Sequence, residues 1–252
     1  MTIPVVARVI DGMVRAYSPP GDGPFPALLL LHGSEGGWSG WSHRNADLLA
    51  SAGFLAYPFS YSYSGSMWFA GDIIDVPLDA TEAAMAKLRD HPLSSGKLGL
   101  YGISRGAEHA LLVTALMARD GVDGIPDAVA AHSPCDVVCG AFRPDEFRSR
   151  TDPNFEPWDP ALIAWTWRGS TEGLRPSDPI EIERYDGPLK ISHGTDDKVW
   201  TVECTRRIER RLSEARRSAD ITYHEGEGHW FSPAEENIHI DQICKFFETA
   251  LA

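Results

Sequence analysis

The sequence contains no run of about 18 consecutive apolar residues, so no membrane-spanning helix is expected. Its first residues, MTIPVVARVIDG, lack the basic start and long apolar core of a secretory leader, and a cytoplasmic location is expected. Basic side chains are in deficit: 23 Lys and Arg stand against 36 Asp and Glu, a net charge of -13. A surface of that sign repels phosphate, which excludes nucleic acid and anionic membranes as expected partners. Cysteine is scarce as well, and four in 252 residues do not make a disulfide framework. Cys204 falls in helical register with Ile208 and Leu212, and Cys244 with Ile240 and Phe247, so both read as buried small apolar groups. Cys135 and Cys139, even with His132 nearby, match no common zinc spacing and lack a fourth ligand, so no metal is expected.

What is present fits one large domain. At 43% hydrophobic and 23% charged residues, the chain can bury an ample core and remain an ordinary globular protein. Asp11-Gly12 between two β-rich runs in residues 3 to 17 predicts an opening antiparallel hairpin. Ala27 to Leu31 is continuously apolar, as a strand covered on both faces must be. Helices are predicted near residues 43 to 52, 77 to 91, 201 to 215 and 235 to 251, and strands near 53 to 61, 128 to 131, 189 to 193 and 221 to 224. This alternation predicts an α/β fold, a mostly parallel sheet with helices on both faces and its ligand at the carboxyl ends of the strands.

The most informative stretch is Lys97 to Met117, KLGLYGISRGAEHALLVTALM, in which a short strand meets Gly102-Ile103-Ser104-Arg105-Gly106 and a long apolar helix follows at once. This is the G-x-S-x-G arrangement of strand, sharp turn and helix. A serine hydroxyl attacks a carbonyl only if it projects from the backbone, and the flanking glycines provide the room for such a turn. The helix N-terminus also directs backbone N–H groups toward an oxyanion. Ser104 is therefore the expected nucleophile, and the N–H of Arg105 the expected first oxyanion donor. The loop His32-Gly33-Ser34-Glu35-Gly36-Gly37, after the apolar strand, is where a second donor would come from, with Ser34 and Glu35 both open.

A weakly nucleophilic hydroxyl needs a base, and the base needs an acid to fix its tautomer. Of nine histidines, His229 alone follows the last predicted strand in a glycine-rich loop, EGEGHWF. The acid should follow the strand before it, where Asp196 and Asp197 are adjacent; Asp197 is preferred. The order Ser104, Asp197, His229 is that of nucleophile, acid and base in such sheets. Residues 133 to 185 break the strand-helix rhythm with prolines and many aromatics, and are read as a cap inserted over the site. Trp165 and Trp167 of this segment, together with Trp230 beside the candidate base, are expected to contact substrate. Arg105, Glu108 and Trp200 have no side-chain role beyond structure on this reading.

With these motifs in view, the chain resembles the α/β-hydrolase superfamily. Within it, the chain is similar to the dienelactone-hydrolase-like group that includes the C-terminal catalytic domain of acyl-CoA thioesterases and bile-acid-CoA:amino acid N-acyltransferases. The resemblance rests on HGSEGG at 32 to 37, DLLASAGFLAYPFSY at 47 to 61, DVPLDATEAAMAKL at 75 to 88, GISRGAEHALL at 102 to 112, TWRGS at 166 to 170, GTDDKVW at 194 to 200 and EGEGHWF at 225 to 231. It implies a Ser104/Asp197/His229 triad and hydrolysis of a small ester or thioester through an acyl-enzyme, with no cofactor. Acyl transfer to an amine or alcohol is the alternative, and a non-catalytic ligand-binding protein on the same scaffold is another. No counterpart of the N-terminal β-sandwich of those enzymes is recognised. Transferase members typically carry cysteine where Ser104 stands, which favours hydrolysis. The arginines of the insert are outnumbered by nearby acids, so no coenzyme A phosphate site is evident, and nothing in the sequence sets an oligomeric state.

Overall fold

The computed structural model describes residues 4–10, 13–36, 40–62, 71–144 and 158–252. Among the described residues the elements run in chain order β1 (Val6–Ile10), β2 (Met13–Ser18), β3 (Phe25–Leu31), α1 (Gly40–Ser51), β4 (Leu55–Phe59), β5 (Val76–Pro77), α2 (Asp79–Arg89), β6 (Ser94–Ile103), α3 (Arg105–Asp120), β7 (Ala128–His132), β8 (Ala141–Phe142), β9 (Trp158–Asp159), β10 (Trp165–Thr166), β11 (Leu189–Gly194), α4 (Glu203–Glu214), β12 (Asp220–His224) and α5 (Pro233–Ala250). Eight strands form one sheet in the order β1-β2-β4-β3-β6-β7-β11-β12. The first two pair antiparallel, as the Asp11-Gly12 signal predicts, although the turn itself lies outside the described residues. From β4 onward the pairings are parallel.

The apolar run of β3 explains the layering. Successive side chains of a strand point to opposite faces. Ala27, Leu29 and Leu31 join one buried cluster with Met85 and Leu88 of α2, much of α3, and Ile208 and Leu212 of α4. Leu28 and Leu30 join a second cluster with Ala46 and Leu49 of α1 and Ile240, Ile243 and Phe247 of α5. The sheet is thus covered on both faces, which is why β3 carries no polar residue between Phe25 and Leu31.

The parallel register brings the strand ends to one rim. Leu31 pairs with Gly102, Ile103 with His132, His132 with Ser192, and Gly194 with His224. The loops after β3, β6, β7, β11 and β12 therefore open on the same edge. No helix of the described residues is long and apolar enough to cross a membrane.

The segment after β7 does not form a layer of its own among the described residues. β8 pairs with β9, and β10 lies parallel to β5 ahead of α2. Trp165, fully buried, is part of the main core cluster. Residues 145–157 of the predicted cap lie outside the described residues.

Candidate active site

Ser104 sits between β6 and α3 with φ 52° and ψ −121°, a conformation that strains a residue with a side chain. The flanking glycines are required by contact rather than by their own torsions. A Cβ at Gly102 would run into the Gly106 carbonyl, and one at Gly106 into the carbonyls of Leu31 and His32. The turn is held from the neighbouring strand by the Ser104 N–H, which donates to the His132 carbonyl at 2.8 Å.

His229 reaches across from the loop after β12. Its Nε2 lies 2.8 Å from Ser104 Oγ, and its Nδ1 2.7 Å from Asp197 Oδ2. All three side chains are buried, whereas Asp196 is exposed and its backbone N–H is tied to the Glu227 carbonyl at 2.9 Å. Asp197 Oδ1 accepts from the backbone N–H groups of Val199 at 2.8 Å and Trp200 at 3.0 Å. Burial alone would push the Asp197 carboxyl up. The hydrogen bonds from His193 and His229, with the charge of His229, outweigh it and hold the group well below the usual carboxylate range. The acid is therefore ionised where the imidazole faces it.

The 32–36 loop closes the other side. Gly36 turns back onto the Gly33 carbonyl at 3.4 Å, and the Gly33 N–H donates to Glu35 Oε1 at 3.0 Å. A Cβ at Gly33 would meet the Ser104 Cβ at 3.3 Å, which puts this loop in contact with the elbow. Arg105 is the first residue of α3, so its N–H has no intrahelical acceptor and is available beside Ser104.

A family model described as "BAAT / Acyl-CoA thioester hydrolase C terminal" matches residues 76–250. The chain belongs to this family. Mouse acyl-coenzyme A thioesterase 6 is 29% identical over 89% of the chain and 54% of its own length. Rat acyl-coenzyme A amino acid N-acyltransferase 2 is 28% identical over 90% of the chain and 54% of its own length. The chain thus spans about half the length of these curated relatives. Among solved structures, brefeldin A esterase superposes with a TM-score of 0.64 at 18% identity, covering 98% of this chain and 76% of that one. A Klebsiella pneumoniae protein described as "Putative Dienelactone Hydrolase" gives 0.63 at 15% identity, covering 97% and 99%. The fold is that of the α/β-hydrolases.

Within this family member, the predicted aromatic contacts are redistributed. Trp165 is fully buried; its indole N–H donates to Glu108 Oε1 at 2.9 Å, and the Arg105 guanidinium lies 5.1 Å from its ring centre. It has no exposed surface to offer a substrate. Trp167 donates to Asp120 at 2.6 Å, at the far end of α3, about 22 Å along the helix axis from the elbow. Both indoles fasten their segment to α3, Trp165 through Glu108 and Trp167 through Asp120. Trp230 is half exposed, with its ring centre 5.9 Å from that of His229, and stays at the rim.

Three contributors have partners that the sequence does not name. Trp200 holds Asp197 through its N–H and sets its ring edge-on to His229 at 6.1 Å, with Trp158 of the insert 5.9 Å behind it. His193 lies 3.2 Å from Asp197 Oδ2 and is itself held by Thr205 at 2.7 Å and the Trp200 carbonyl at 2.8 Å. Its only sequence signal was a strand-end histidine four residues before the acid. The third is the Arg105 side chain. Completely buried, it donates to Glu108 Oε2 at 2.9 Å and the Gly140 carbonyl at 2.6 Å, while the Cys139 N–H also donates to Glu108 at 2.9 Å. Burial pushes the Glu108 carboxyl up, and Arg105 draws it back only in part.

Proposed function

We propose that the chain is a serine-dependent hydrolase of carboxylic esters or thioesters. The observation that carries this reading is the imidazole of His229 held between Ser104 Oγ at 2.8 Å and Asp197 at 2.7 Å. His229 Nε2 takes the Ser104 proton as Oγ bonds to the acyl carbon. The carbonyl oxygen becomes an oxyanion that receives the Arg105 N–H and a second N–H from residues 34–35. The imidazolium, stabilised by Asp197, protonates the departing alkoxide or thiolate as its bond to carbon breaks. Water, deprotonated by the same imidazole, then attacks the acyl-enzyme and releases the acid and free Ser104.

Thioesters of coenzyme A are the favoured class because mouse acyl-coenzyme A thioesterase 6 is 29% identical over 89% of this chain. Labelling by a fluorophosphonate probe, followed by a panel of p-nitrophenyl esters beside acyl-CoA thioesters, tests the reading. Absence of labelling, with no turnover of either class, would sink it. Acyl transfer is kept as a second reading because the rat relative that is 28% identical is named for N-acyltransfer. Adding amine acceptors to the same assay separates the two: transfer gives an amide product, hydrolysis only the free acid.

A further inference from the structure

Behind the triad, a second group of histidines has no part in the chemistry just described. His132 ends β7, one strand over from the elbow, and donates no ring hydrogen bond among the described residues; both of its nitrogens are buried and without a partner. His239, on α5, is equally buried, and its two nitrogens also lack a hydrogen-bond partner. The rings meet edge-on, their planes 75° apart and their centres 4.5 Å apart. Glu236 stands one turn earlier on the same helix face, the i, i+3 spacing that projects a carboxylate and an imidazole to one point. Its Oε2 is 3.7 Å from His239 Nδ1, while its Oε1 turns outward to Arg44 at 3.5 Å. One donor atom from each of His132, Glu236 and His239 lies within 4.8 Å of the others. His224 stands beside them, its ring centre 5.5 Å from that of His239 and its Nδ1 fixed by Glu235 at 2.6 Å. Phe231 covers the group, 4.3 Å from His132 and 5.2 Å from His239 between ring centres.

Burying imidazole nitrogens unpaired is costly, and the four of His132 and His239 in one place ask for a common partner. That partner must accept lone pairs and tolerate one carboxylate. A stack of neutral rings held only by edge contacts would leave the donor atoms of three residues converging for no purpose.

We propose that His132, Glu236 and His239 form a binding site for a divalent transition-metal ion of zinc's class, separate from the triad. Two imidazoles and one carboxylate are a known donor set for such an ion. Metal–ligand bonds of about 2.0–2.1 Å place tetrahedral donors roughly 3.4 Å apart, so closure needs ring rotations of about an ångström, and the Glu236–His239 edge is already near that length. The metal would pin α5 to the end of β7, whose His132 carbonyl holds the Ser104 N–H. Its consequence is structural support beneath the elbow, with no part in the reaction. The sequence reading weighed His132 only with Cys135 and Cys139, and missed the donors because they lie more than a hundred residues away.

The competing cysteine group fits a metal less well: Asp136, between Cys135 and Cys204, is already claimed by Arg207 at 2.6 and 2.8 Å.

The test uses the full chain, dialysed against chelator and titrated calorimetrically with Zn²⁺, with Co²⁺ added in parallel for its visible ligand-field bands. One equivalent per chain is expected, with a rise in unfolding temperature. Glu236→Gln, at a partly exposed position that leaves the fold intact by circular dichroism, should weaken binding about tenfold or more, and His239→Asn should do the same. His229→Asn should leave it unchanged. Failure of the parent chain to bind a stoichiometric ion overturns the proposal. So does an unchanged isotherm in both site variants, or loss of binding in the His229 variant, which would put the ion at the triad. Hydrolysis by Ser104 is read separately by probe labelling, so failure of the metal site and failure of the hydrolase reading remain distinguishable.

Discussion

Ser104, Asp197 and His229 share one hydrogen-bonded line, so their substitutions should behave as a unit. Ser104→Ala is expected to abolish probe labelling and lower kcat at least about 10³-fold, with the melting temperature unchanged or raised because the strained residue loses little by truncation. Asp197→Asn should cost about 10⁴-fold in kcat, since the amide imposes the wrong imidazole tautomer. Asp196→Asn, at an exposed position, should stay within a few-fold of the parent. Equal losses for the two aspartate variants would remove Asp197 from its role. The choice between these neighbours illustrates what is and is not legible at this scale. Sequence narrowed the acid to two residues because the order nucleophile, acid, base places the acid after the penultimate sheet strand, where Asp196 and Asp197 stand. It could not say which one turned inward, because that depends on the Gly194 carbonyl and the Val199 and Trp200 N–H groups that shape the turn.

Among the elements, α3 carries the most consequence per residue. The apolar helix and its glycine-flanked start were plain in the sequence, since both follow from local pattern. The fastening of its first turn was not, because Arg105 and Glu108 meet partners 31 to 57 residues away. Charged residues beside a nucleophile invite a catalytic reading or none; here both are wholly buried and pair at 2.9 Å. Glu108→Ala leaves a guanidinium buried without its counterion and is expected to destabilise the protein by about 3–5 kcal/mol in urea unfolding. Glu108→Gln, which retains acceptor and shape, should cost distinctly less. A cost for the alanine variant below about 1 kcal/mol would mean that the pair contributes little. Gly106→Ala should be worse tolerated than either, because the added methyl meets backbone on β3 rather than a movable side chain. Loss of soluble protein is the expected result.

For the molecule as a whole, the sheet and its two covering layers were readable because β3 is apolar throughout and helices alternate with strands. Composition marks residues 133 to 185 as aromatic without saying which side of each ring faces inward, and the hold of Glu108 on Trp165 and of Asp120 on Trp167 could not be read from it. Buried histidines give the molecule a further property. Burial lowers His32 to about 4 and His109 to about 3, each from an ordinary 6.5. Their folded forms resist protonation that the unfolded chain accepts below 6.5. The stability they permit is thus complete above about pH 6.5 and declines as pH falls toward their folded values. Urea midpoints measured between pH 7 and 4 should fall with acid, and His109→Asn should make that slope shallower by about one proton; an unaltered slope would count against His109 as a source. The fastening of Arg105 has an evolutionary corollary. Its buried side chain grips the Gly140 carbonyl beside the Ser104 turn, so the segment that contains Gly140 should not transplant onto another scaffold as an independent module. A working chimera would have to carry Arg105, Glu108 and Trp165 across together, because the three are joined by hydrogen bonds at the root of that segment.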